Sequence, residues 1–393
     1  MSSKRRSPPS AIAICVDGLE SPQLQQQMGS LGLQNATELT SNALAIVSAV
    51  SEIMRAFNFT INPTTASLKR RLLEAPGDEY PTWMSSTERK LLGNSVAPNA
   101  IVAKDGSGKY HTIQAAIDAY PKNHVGRYVI YVKAGTYKEY VTITKNQPNV
   151  LITYRTATFS VMGDGFIAKS MGFQNTAGAI GHQAVALRVQ ADRAVVFNCR
   201  MDGYQDTLYQ QAHRQFYRNC VISGTVDFIF GDATAVIQNS LIVVRMPMQG
   251  QKNTVTAHGR MNKRETTGLV IQNCRILPEE KLFPVASQYP SYLGRPWKEY
   301  SRTVVMESTI GGFIDPAGWL PWAGNIYLDT LYYAEYGNRG PGANTNRRVK
   351  WKGYHVLTDQ KIANSFTVNP FIQGSQWLPA TGVPFFLGLK NAS

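Results

Sequence analysis

Four side chains stand out as a possible reacting set: Gln183, Gln205, Asp206 and Asp227. Gln183, Gln205 and Asp227 follow one another at intervals of 22 residues. One solenoid coil per interval would stack them in a column on one face. Asp206 adjoins Gln205, so two carboxylates and two carboxamides would converge there. No Ser–His pair accompanies them, and no His or Cys spacing matches a metal site. The chemistry expected of such a set is carboxylate-based: one ionised carboxylate as nucleophile, one as proton carrier, and amide N–H groups for developing negative charge. A polar ladder with surface aspartates has the same spacing, and periodicity alone leaves the two readings level.

The elements that must position this set carry their own repeat. An apolar stretch ending in Asn and a small residue recurs at Asn175, Asn198, Asn219, Asn239 and Asn273, at intervals of 23, 21, 20 and 34 residues. A β-rich period of about 20 with no intervening helix predicts stacked coils of a parallel β-helix, the long last interval being an inserted loop. Asn repeated at one turn suits a hydrogen-bonded ladder, because it tolerates left-handed backbone. Cys199 and Cys220 each follow a ladder Asn. Stacked strands lie about 4.8 Å apart, inside the roughly 4.4–6.8 Å that a disulfide accepts. A Cys199–Cys220 bridge is expected on that ground, with buried thiols as the alternative; Cys274 faces Ser240 and lacks a partner. Thr112 is expected to cap one short helix, and another should follow Thr358.

The flanking regions differ from this pattern. Residues 1–68 have a helical periodicity through Ile46, Val47, Val50, Ile53, Met54 and Phe57, as in a fragment of a helical bundle. Residues 69–92 form a polar linker with two basic tetrads, Arg70-Arg71-Leu72-Leu73 and Arg89-Lys90-Leu91-Leu92, which suit processing sites or a solvated hinge. The β-rich region is 93–393. The 393 residues carry 40 Lys+Arg against 26 Asp+Glu, a formal charge of +14 that favours polyanionic partners. Without a basic helix or a nucleic-acid motif, an acidic polysaccharide is expected before nucleic acid. No apolar run is long enough for a membrane span or a signal-peptide core. Sequons stand at Asn35, Asn58 and Asn391.

The segments around the reacting set, together with Gly135-Thr-Tyr-Lys-Glu139 and Leu293-Gly-Arg-Pro-Trp297, resemble the signatures of plant pectin methylesterases, five motifs in order across roughly 95–390. Residues 1–68 resemble the end of that family's inhibitor-like pro-region, and the tetrads resemble its processing sites. The resemblance implies an all-β, right-handed parallel β-helix that needs no cofactor or metal. It implies hydrolysis of methyl esters of homogalacturonan by a secreted, monomeric cell-wall enzyme, with a proteinaceous pectinesterase inhibitor as a partner. Asp227 would be the nucleophile, kept ionised by Arg295. Asp206 would be general acid and then general base, and Gln183 and Gln205 the oxyanion donors. Trp297 would pack on the sugar, Tyr209 and Phe230 would add aromatic platforms, and Thr153 would touch substrate. Glu139 is expected to be structural, and His213 a turn residue.

Three departures from the family pattern matter. The pro-region is shortened and keeps only Cys15; Ser240 replaces a partner for Cys274; and Gln147-Pro-Asn-Val-Leu-Ile-Thr-Tyr154 joins motifs that family members separate by about one more coil. Loss of a whole coil is tolerable, whereas a fractional coil would turn apolar residues outward. The competing functions are a pectin lyase or polygalacturonase on the same architecture, and a non-catalytic pectin-binding variant.

Overall fold

The computed structural model describes residues 98–153 and 159–390, all within the second of the chain's two units, Thr82–Ser393; the side chains of 151–153 lie outside the description. Residues 1–68, expected to be helical, the expected linker with Arg70, Arg71, Arg89 and Lys90, Cys15 and the three sequons lie outside the described residues.

The chain winds as a right-handed parallel β-helix whose coils contribute strands to sheets of 11, 7 and 6 strands. A complete coil runs through Ala194–Phe197 in the 11-stranded sheet, Arg200–Asp202 in the 6-stranded sheet and Leu208–Gln210 in the 7-stranded sheet. It then returns to the first sheet at Arg214–Arg218. Every strand pair is parallel, and side chains therefore stack in register from coil to coil. Val196, Tyr217, Ile237, Ile271 and Val305 form one such inward column, each buried in the interior.

The alternate residues of the same strands, Val195, Phe216, Val236, Val270 and Val304, point to the other face. They are also apolar because the C-terminal helices Gln360–Asn364, Val368–Ile372 and Gly374–Trp377 cover them with Ala363, Val368, Ile372 and Trp377. Burial on both faces explains the near-continuous apolar runs of these strands. Each fully buried aliphatic contributes about 1.5–3 kcal/mol.

The turn ladder forms with one correction. Asn198, Asn219, Asn239 and Asn273 all take left-handed backbone, with φ between 52° and 54°. Asn239 Nδ2 donates to Asn219 Oδ1 at 2.6 Å and Asn273 Nδ2 to Asn239 Oδ1 at 3.1 Å. Asn175 is not a rung. It follows a strand of the 6-stranded sheet, Gly172–Gln174, whereas the others follow the 11-stranded sheet. Ser170 takes the rung instead, at φ 55°, accepting from Asn198 Nδ2 at 2.9 Å.

Cys199 and Cys220 do stand on adjacent coils, each one residue before the paired Arg200 and Val221. Contrary to expectation, both are free buried thiols, as is Cys274. Backbone carbonyls rather than the neighbouring sulfur satisfy them. Cys199 Sγ donates to Phe197 O at 3.2 Å, and Cys220 Sγ lies 3.3 Å from both Val196 O and Arg218 O. Ser240 and Ser308 continue the column, accepting from Cys220 N and Cys274 N at 3.0 Å.

At the N-terminal end, Thr112 caps the helix Ile113–Asp118 by accepting from Ala115 N. Glu139 accepts the next free amides, Ile113 N at 2.9 Å and Gln114 N at 3.0 Å, a structural role as expected. His213 sits exposed in a turn at φ 69°. The coil at the shortened junction is small: Ile152 pairs with Ala168, a step of 16, while Val196 pairs with Tyr217, a step of 21. Both sheets nevertheless continue across it in register, Val141–Ile143 pairing Phe159–Val161 and Val150–Thr153 pairing Ile167–Lys169. Val141, Ile143, Phe159 and Val161 remain buried, so the inward phase is kept.

Candidate active site

The site is built on the outer face of the 7-stranded sheet. Asp227 lies in the turn before Ile229–Gly231, and Asp206 in the turn before Leu208–Gln210. Both take left-handed backbone, φ 51° and 64°, a region that non-glycine residues adopt sparingly and Asp more readily than most. Asp206 N donates to Val226 O at 3.1 Å, and Leu208 pairs with Ile229, so the two aspartates hold the same place on successive coils.

The column therefore differs from a uniform 22-residue one. The neighbour of Asp227 is Asp206, 21 residues earlier, and Gln205 stands beside Val226. The 22-residue step holds only between Gln183 and Gln205, where Ala184 N donates to Gln205 O at 3.1 Å. A bulge absorbs the extra residue: Ala186 N and Leu187 N both donate to Thr207 O. Gln183 is exposed and Gln205 half-buried.

Asp227 is 6% exposed and is gripped from the coils that follow. Arg295 donates bidentately, Nε to Oδ1 at 2.8 Å and Nη2 to Oδ2 at 2.7 Å. Thr254 Oγ1 donates to Oδ1 at 2.7 Å. Asp206 is half-buried and has no such clamp. Burial, and secondly the charge of Asp227, push its carboxyl up to about 7, against an opposing pull from Arg295. One carboxylate is thus held by cation and hydroxyl while its neighbour is poised to carry a proton near neutrality.

Aromatic side chains line the same face. Tyr209 stacks on Phe230 with centroids 4.5 Å apart and planes at 7°, because Tyr209 and Phe230 are register partners. Trp297 meets Phe230 edge-on at 6.0 Å. Its indole lies directly over Gly259, where a Cβ would come within 2.7 Å of the ring, so only glycine fits beneath it. The Arg295 guanidinium carbon also lies 4.4 Å from the ring centroid of Trp322, a cation–π contact.

The profile of the pectinesterase family matches residues 99–153 and 151–375. The chain belongs to the pectinesterase family. Among its relatives, a probable pectinesterase/pectinesterase inhibitor 13 of Arabidopsis thaliana is 47% identical over 96% of this chain and 64% of its own length. Pectinesterase 1 of Citrus sinensis is 46% identical over 95% of this chain and 68% of its own. A pectin methylesterase from carrot has the same fold, with a TM-score of 0.74 at 50% identity, over 75% of this chain and 99% of that one. The chain thus spans somewhat under two thirds of the Arabidopsis relative.

In this pectinesterase chain, Asp206, Asp227 and Arg295 stand together, Tyr209, Phe230 and Trp297 pack on one another, and Gln205 precedes Asp206 in the same turn. Thr153 does not join them through its backbone: it ends a strand of the 11-stranded sheet, paired with Tyr131 and Lys169, and its side chain lies outside the described residues. Sequence reasoning missed Thr254, Trp322 and Arg245. Thr254 stands 27 residues after Asp227, so a loop within that coil hides it from any search at a period near 21. Arg245 stacks on Tyr204 with its guanidinium carbon 3.9 Å from the ring centroid.

Proposed function

We propose that this chain is a carboxylic ester hydrolase that removes methyl esters from homogalacturonan. The observation that carries the reading is the unequal pair of aspartates: Asp227 clamped by Arg295, and Asp206 on the adjacent coil with its carboxyl raised to about 7.

In the proposed sequence a carboxylate oxygen of Asp227 attacks the ester carbonyl carbon. Gln183 and Gln205 donate N–H to the oxyanion, a contribution of about 2.7–4 kcal/mol per donor in related sites. The intermediate collapses with cleavage of the carbon–methoxy bond, and the Asp206 proton passes to the leaving oxygen to give methanol. The acyl-enzyme is an anhydride between Asp227 and galacturonate. Asp206, now ionised, takes a proton from water as the water oxygen adds to the acyl carbon, and Asp227 leaves as carboxylate. Tyr209 and Trp297, both packed on the buried Phe230, supply apolar surface for sugar faces.

The same reading makes the protein a secreted, monomeric cell-wall enzyme with an acidic polysaccharide as substrate and a pectinesterase inhibitor as partner. Residues 1–68 would then be an inhibitor-like region released at the basic tetrads. No helix among the described residues is long and apolar enough to cross a membrane. The non-catalytic alternative is not favoured, a reading supported by Asp206, Asp227 and Arg295 standing together despite the short coil.

The test is methanol release from highly methyl-esterified pectin, with Asp227→Asn as control. Release by the unsubstituted protein and none by the variant is expected. Absence of release by the unsubstituted protein would defeat the proposal, and unsaturated or reducing ends instead of methanol would point to a lyase or glycosidase.

A further inference from the structure

The two oxygens of Asp227 are not equivalent, and the residue that distinguishes them is Thr254. Strand Asn253–His258 pairs with Ile229–Gly231 so that Ile229 faces Thr256. Thr254 is therefore level with Asp227 on the following coil, and it is fully buried. Its hydroxyl makes two contacts with the same residue. Asp227 N donates to Thr254 Oγ1 at 2.9 Å, and Thr254 Oγ1 lies 2.7 Å from Asp227 Oδ1.

The direction of both bonds follows from the partners. A backbone N–H can only donate and a carboxylate can only accept. The hydroxyl must receive the amide proton and direct its own proton to Oδ1. At the equivalent place one coil earlier the Asp206 amide meets a carbonyl, Val226 O, whereas the Asp227 amide meets the threonine hydroxyl.

Oδ1 consequently takes two donors, Arg295 Nε and Thr254 Oγ1, whereas Oδ2 takes one, Arg295 Nη2. A carboxylate oxygen has about two lone-pair sites in its plane. Both are engaged at Oδ1, and one stays open at Oδ2.

We infer that Asp227 attacks through Oδ2, and that Thr254 is a positioning residue which fixes this choice by occupying Oδ1. The inference rests on the esterase reading above. It assigns Thr254 no contact with substrate; its effect is on the orientation and lone-pair availability of the nucleophile.

Two measurements test it. The first is a crystal structure of the Asp206→Asn variant soaked with a methyl-esterified oligogalacturonate. The ester carbonyl carbon is expected to face Oδ2. An ester facing Oδ1 would overturn the inference while leaving the esterase reading intact, and no ester at Asp227 would overturn both. The second is a hydroxyl series. Thr254→Val should lower kcat about tenfold or more, the range for a hydrogen bond to a charged group, with KM for pectin unchanged. Thr254→Ser, which keeps the hydroxyl, should recover kcat to within about threefold of the unsubstituted protein. If Thr254→Val folds poorly, the serine variant still decides: a kcat loss in a folded Thr254→Ser protein as large as tenfold would mean that the methyl, and so packing, is what matters.

Discussion

Asp206 and Asp227 occupy the same position on adjacent coils, both with left-handed backbone, yet Arg295 directs its two donors to Asp227. Stacking repeats the backbone and the carboxyl; the arginine makes the chemistry different. Replacing either acid by its amide keeps the shape and separates the roles. Asp227→Asn removes the proposed nucleophile and is expected to abolish methanol release. Asp206→Asn removes only proton transfer, a contribution of about 10²–10⁴-fold, and should leave residual turnover. Steady-state assays on esterified pectin decide this, and equal residual activity in the two variants would contradict the division of roles.

The raised carboxyl of Asp206 has a consequence for stability. Its value in the folded chain is about 7 against 3.8 in the unfolded one, mainly through burial. The folded state therefore holds the proton more tightly, and folding loses stability as pH rises from about 4 to about 7, with no further loss beyond. Asp206→Asn does not titrate. Relative to the unsubstituted protein it should gain melting temperature across that window, keep the gain above pH 7, and show none near pH 4. Thermal unfolding of both proteins at pH 4 and pH 8 reads this directly; a difference independent of pH would refute it.

Burial raises the thiols of Cys199, Cys220 and Cys274, the last two to about 12, well above the range in which a thiolate reacts. These three should be unreactive toward Ellman's reagent in the native protein and become reactive on unfolding in guanidinium. Dithiothreitol should leave the melting temperature unchanged. A fall of several degrees with reductant, of the size expected for losing a bridge worth about 2–4 kcal/mol, would show that Cys199 and Cys220 are joined.

The parts of this architecture legible in the sequence are those where one residue type repeats because one backbone geometry repeats. Asn198, Asn219, Asn239 and Asn273 announced the ladder, and the motifs around Asp206, Asp227, Arg295 and Trp297 announced the site. The misreadings have a common origin in local departures from the period. The bulge at Ala186 and Leu187 made Gln205, not Asp206, look like the neighbour of Asp227. Ser170 in place of an Asn moved the start of the ladder. The thiols misled for another reason: coil spacing allows a disulfide, but which way each Sγ turns is decided by nearby carbonyls, which spacing does not encode.

Arg245 is the least expected contributor and gives the last prediction. Its Nη1 donates to Gly203 O at 2.8 Å, its Nη2 to Tyr204 Oη at 2.9 Å, and its Nε to Glu279 Oε2 at 3.3 Å. The guanidinium plane also covers the Tyr204 ring. Glu279 is itself fixed, since its Oε1 accepts Met246 N at 2.6 Å. Gly203 and Tyr204 begin the turn that carries Gln205 and Asp206, so a side chain two coils on holds the turn from outside. Lysine has one nitrogen and cannot reach three acceptors or stack on the ring as a plane. Arg245→Ala and Arg245→Lys should therefore both lower kcat, by about tenfold for alanine on the scale of one charged hydrogen bond. The affinity contributed by Tyr209 and Trp297, which do not touch Arg245, should keep KM within about twofold. Glu279→Gln keeps one of the two acceptors, enough for either Arg245 or the Met246 amide, and should be the mildest of the three. A change confined to KM would place Arg245 in substrate binding and remove its role in holding the Asp206 turn.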